Sequence, residues 1–167
     1  MTNAKFLYGL DRLKFNNQLL GYIEKGSFDW GGTDPESVDI EAEQVPDAPV
    51  LSLVQKNGTV APEFNLIQLD YENLQRVLGG TLVTSGSGAS ATTTGWQAPS
   101  ELVQLTGPVQ IDTTSGKRIN IANASLKANL DGKLTLSEVS KVKVKLTVLK
   151  PAGGGAPYEI IDTPVEG

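Results

Sequence analysis

Apolar and polar residues alternate with a period of two along most of this 167-residue chain. That is the spacing of strands with one buried face. Residues 6–15 form the first run and 18–28 the second. Asn16-Asn17 between them predicts a tight turn, because asparagine tolerates positive φ. Gly31-Gly32 and Asp34-Pro35 mark a loop. The clearest alternation covers 37–43, where Val38, Ile40 and Ala42 oppose Asp39, Glu41 and Glu43, and Pro46 and Pro49 break it. A strand over 50–55 is expected to turn at Asn57-Gly58, the strongest short-range hairpin signal, and return over 59–69.

The period changes once. Tyr71, Leu74, Val77 and Leu78 recur at helical spacing and give a helix over 70–78 one apolar packing face. Asp70 is a good N-cap and Gly79-Gly80 a stop. Residues 85–95 are rich in Ser, Gly, Thr and Ala, which predicts a flexible loop or a segment that orders on assembly. Strands follow near 101–106, 108–114 and 117–128. Asp131-Gly132 predicts another hairpin turn into 133–149, with a break near Ser140. Lys141, Lys143 and Lys145 there alternate with Val142, Val144 and Leu146. Pro151 ends the run, and Gly153-Gly154-Gly155 is a hinge before the tail 158–167, so that 151–167 is expected to form a C-terminal arm. The whole chain, 1–167, reads as one mostly-β domain: a two-sheet β-sandwich or partial barrel with one flanking helix.

Composition narrows the function. There is no cysteine, hence no disulfide, thiolate metal site or cysteine nucleophile. There is no histidine, which removes the commonest general base and metal ligand. No enzyme and no cofactor is expected. The formal charge of −5 argues against a clamp on nucleic acid, which needs a basic patch to neutralise phosphates. No signal peptide or apolar run of membrane length is visible, so synthesis as a soluble cytoplasmic chain is expected. Gly86-x-Gly88-x-x-Ala91, with Asp112 downstream, matches the letters of a dinucleotide-binding loop, but the Thr92-Thr93-Thr94-Gly95 that follows is poor helix material.

Two charged stripes and two tryptophans remain. Asp39, Glu41 and Glu43 have four readings: a solvated sheet face, a metal site, the lining of a channel, or partners of Lys141, Lys143 and Lys145 across strands or subunits. Exposed pairs of that kind set register and partner choice more than stability. Trp30 and Trp96 sit in Gly-rich loops, where they can bind sugars, pack between subunits or fold back on their own domain.

The order of parts resembles bacteriophage major tail (tail tube) proteins. A β-hairpin start leads to an extended region with an acidic alternating strand. The short helix in Leu69-Asp70-Tyr71-Glu72-Asn73-Leu74-Gln75-Arg76-Val77-Leu78-Gly79-Gly80 follows, and the chain finishes on Leu149-Lys150-Pro151-Ala152-Gly153-Gly154-Gly155. That family shares its fold with the tubes of contractile injection and type VI secretion machines. The resemblance implies hexameric rings whose inner sheets join into a continuous barrel. The rings stack into a tube through which DNA passes without specific binding, and loops and terminal arms reach the next ring. It further implies location in the virion tail and contacts with tape measure, tip or baseplate and terminator proteins. The alternatives are a tube subunit of an injection or secretion system, a carbohydrate-binding or adhesin-like β-sandwich using Trp30 and Trp96, and an enzyme with a carboxylate pair.

Overall fold

The computed structural model describes residues 5–164. It is mostly β with one α-helix. Strand β1 (Arg12–Phe15) turns into β2 (Gln18–Leu19) through Asn16 and Asn17, both at positive φ, as the turn chemistry requires. Strands β3 (Glu36–Ile40) and β4 (Leu51–Lys56) pair with each other. After β5 (Glu63–Leu66) comes helix α1 (Tyr71–Leu78). The hairpin of β6 (Thr81–Ser85) and β7 (Thr92–Gln97) is followed by β8 (Leu105–Asp112), β9 (Lys117–Asp131), β10 (Lys141–Val148) and β11 (Tyr158–Asp162).

Seven strands form the main sheet in the order β2-β1-β8-β9-β10-β5, and β11 also pairs with β9. The fifteen-residue β9 is its axis. Its first half pairs with β11 and its second half with β10 along one edge, while β8 covers the other. Residues 20–29 then cross from the β2 edge towards the β5 edge. Ile67 N–H donates to Tyr22 O at 3.0 Å, Glu24 N–H to Asn65 O at 2.8 Å, and Asp29 and Glu63 exchange both bonds. The sheet therefore curls around its own core instead of facing a second sheet. Among the described residues it does not close into a barrel.

Alternation decides what the curl encloses. Leu13 and Phe15, Val109 and Ile111, Ile119 and Ile121, Val142, Val144 and Leu146, and Phe64 and Leu66 all turn inward and are buried. A register shift between Gly107 and Val109 keeps Leu105 opposite Leu126 on the same inner face. It lets one strand do what 101–106 and 108–114 were expected to do as two. Helix α1 is capped as expected: Asp70 Oδ1 accepts from Asn73 N–H at 2.9 Å, and Gly79 follows at φ 76°.

Four expectations need correction. Asn57-Gly58 is not a hairpin turn. Gly58 is not at positive φ, and Thr59 N–H donates to Thr33 O at 2.9 Å, so the chain re-enters the body there. The return strand pairs with β10, not β4. Asp131-Gly132 opens a nine-residue loop, 132–140, rather than a two-residue turn. The supposedly flexible 85–95 is mostly hairpin, with only 86–91 between β6 and β7 and a short 3-10 turn at Gly88–Ser90. The tail is no free arm up to Asp162: β11 lies in the main sheet, while 165–167 fall outside the described residues.

Candidate assembly surfaces

The β3–β4 hairpin projects as an arm. Its base is held where Gly31 and Gly32 run against the chain at Ala61 and Thr59. Gly32 has φ 88°, and a Cβ there would lie 1.9 Å from Thr59 O, so only glycine fits. Thr33 and Thr59 add a side-chain bond of 2.9 Å. Beyond the base, every residue of both strands is exposed. Register puts Val38 opposite Leu53 and Ile40 opposite Leu51 on one face, and Asp39 opposite Ser52 on the other. The apolar face has a core-like sequence and no core: Val38 is 51% exposed and Leu51 50%. An isolated two-stranded ribbon is at best marginally stable in water. Each of these half-exposed side chains stands to gain on the order of 1 kcal/mol on being covered.

The arm also holds the molecule's charge. Residues 34–56 include Asp34, Glu36, Asp39, Glu41, Glu43 and Asp47 against Lys56 alone. Their balance equals the whole formal charge of −5, so the rest of the chain is neutral. Of the acidic stripe, only Asp39 lies in a strand; Glu41 and Glu43 belong to the connection at the arm's outer end. No ion pair joins the stripe to Lys141, Lys143 or Lys145 among the described residues.

Those lysines stand on the outer face of the main sheet, as their alternation implied. Lys141 Nζ meets Glu24 Oε2 at 3.0 Å and Lys145 Nζ meets Glu63 Oε1 at 3.2 Å. The Lys141 hydrogen bond, helped by Asn65, holds the Glu24 carboxyl below its ordinary range and raises Lys141 in turn. Lys143 has no ion-pair partner among the described residues and faces Asn129 and Asn65 across the strands. Lys127 lies directly opposite Lys145, a like-charge pair that costs stability unless an anion is near.

Further along the same face, Asp112 is buried between two arginines. Arg118 donates to it at 2.7 and 3.1 Å and Arg12 at 2.9 Å. The Arg118 hydrogen bonds, reinforced by Arg12 against the penalty of burial, hold its carboxyl below the usual range. The row Arg12–Asp112–Arg118 runs straight across β1, β8 and β9 and fastens their register. Asp112 is thus fully engaged and reads no ribose.

Both tryptophans fold back on their own domain. Trp30 packs edge-on against Phe28 with centroids 5.5 Å apart, and Phe28 stacks on buried Phe64. Trp96 lies in β7, not in a loop, and its indole N–H donates to Gly79 O at 2.8 Å, closing the helix end. In α1, Val77 is buried and Leu74 and Leu78 pack on the core, but Tyr71 stays 42% exposed. Buried Asn73 takes the inward place instead, bonding Gln68 O and Arg76. The Glu24–Lys141 and Arg12–Asp112 contacts were invisible in the sequence, since each joins residues far apart in the chain whose spacing carries no pattern.

No family model matches this chain, and no curated protein matches it significantly. Among the described residues no helix is long and apolar enough to cross a membrane.

Proposed function

We propose that this protein is a self-assembling structural subunit, a phage tail tube protein whose rings stack around a DNA channel. The observation that carries the reading is the arm: an amphipathic hairpin whose apolar face stays about half exposed among the described residues. A ribbon of that kind acquires its stability from another molecule. A projecting arm and a separate receiving surface make a head-to-tail interface, which closes into rings or extends into filaments. The tail-tube resemblance supplies the kind of assembly. The neutral body and acidic arm suit a conduit for DNA better than a clamp on it. The sugar-binding alternative loses support, because both tryptophans are committed to internal packing.

Negative-stain electron microscopy tests this with purified protein across a concentration series, with and without tail tips as seeds. Rings or tubes of uniform diameter are expected. A particle that stays monomeric at all concentrations and ignores seeds would sink the proposal.

A further inference from the structure

The proposed assembly needs a seat for the arm, and one surface of the body complements its outer end. Ile67 and Leu69, just past β5, form a groove of about 590 Å³ with Leu134, Leu136 and Val139 of the 132–140 loop. Leu134 and Leu136 are 94% and 109% exposed, bare apolar side chains on the loop. Such side chains in a cluster mark an interaction site. Lys133 stands at the start of this loop and Lys143 just beyond its end, and neither has an ion-pair partner among the described residues. Among the described residues, Glu138 is the one carboxylate that lines the groove.

The arm's outer end is the counterpart. Val50 N–H donates to Ile40 O and Val45 N–H to Ala42 O, so the chain there is ordered around Ile40, Val45, Val50 and Leu51, all of them about half exposed. Glu41, Glu43 and Asp47 lie exposed in the same connection, 41–50. An apolar knob in a segment carrying three carboxylates matches an apolar groove, whose loop carries Lys133 and precedes Lys143, in both polarity and charge sign. The arm's strands are exposed in their own chain, and its carboxylates are opposite in sign to Lys133 and Lys143, which makes a second copy the occupant.

We infer that the outer end of the arm of one copy seats in the Ile67–Leu136 groove of another, with Glu41 and Glu43 meeting Lys133 and Lys143. The inference rests on the assembly reading but specifies the contact. Carboxylates rather than apolar fit alone give it direction, so assembly weakens as salt shortens the screening length from about 10 Å at 0.1 M to about 3 Å at 1 M.

The absence of cysteine makes the test direct. Ile40→Cys and Leu136→Cys are made in separate full-length chains, mixed and oxidised. A disulfide-linked dimer containing one of each is expected, with little of either homodimer. Dimers of Ile40→Cys alone would show arm-to-arm contact and overturn the inference. So would tubes that form without any mixed crosslink. A mixed crosslink without rings or tubes would keep the contact and remove the tube reading. In parallel, Glu41→Lys with Glu43→Lys, and Lys133→Glu with Lys143→Glu, are each expected to raise the protein concentration needed for association at least tenfold. Combining the two sets in one chain restores it. If the lysine variants leave association intact but abolish a gel shift with duplex DNA, that face serves DNA and the inference fails.

Discussion

The β9–β10 ladder and the β3–β4 arm are written in the same alternating pattern, yet they end in opposite states. In β10, Val142, Val144 and Leu146 are wholly buried while the intervening lysines face out. In the arm, Val38, Ile40, Leu51 and Leu53 alternate just as cleanly and stay about half exposed. Local pattern makes a strand and gives it two faces. It does not say what covers the apolar one. In the ladder the cover is the curled sheet itself; in the arm that face stays about half exposed among the described residues.

The difference predicts a steep gradient of mutational cost. Val144→Asp buries an unpaired charge in the inner face, and a loss of about 4 kcal/mol or more is expected, enough to leave the purified chain unfolded by circular dichroism. Asp112→Asn comes next. It leaves Arg118 beside a neutral partner, and urea denaturation should show a loss of about 3 kcal/mol. The pH dependence of this site has a defined sign. Because the folded Asp112 carboxyl lies below its ordinary value, its contribution is present above pH of about 4 and is lost as pH falls through the depressed folded value. The asparagine variant should therefore show a shallower acid limb than the parent.

Smallest is the effect of Ile40→Ser with Leu53→Ser on the isolated subunit, less than about 0.5 kcal/mol because, among the described residues, each is half exposed and its cross-strand partner lies within the arm itself. The same pair should abolish association in light scattering. Hydrogen exchange sharpens the contrast: amides of β9 and β10 should be protected in the monomer, and those of β3 and β4 only after assembly. An arm variant as damaging to the monomer as Val144→Asp would erase the distinction between the two regions.

The lysine stripe shows where sequence reasoning stops. Lys141, Lys143 and Lys145 were legible as one face of one strand, and that face exists. Their partners were not legible. Glu24 lies 117 positions from Lys141, and it reaches the lysine only because residues 20–29 cross to the β5 edge. Asn57-Gly58 fails for a related reason. Its local preference for a turn is overridden by hydrogen bonds between Thr33 and Thr59 that fasten the arm to the body.

By itself the sequence determined what depends on neighbours within a few residues: the strands with their two faces, the Asn16-Asn17 turn, the Asp70 cap and the Gly79 stop. It also determined the −5 balance and the chemistry ruled out with histidine and cysteine. Tertiary structure alone decided which alternating strands share a core. It also decided that the acidic segment stands away from that core as an arm, and that the lysine face meets Glu24 and Glu63 rather than Asp39, Glu41 and Glu43. Pairing between distant strands is set by the collective burial of many side chains, a quantity that no short stretch of sequence contains.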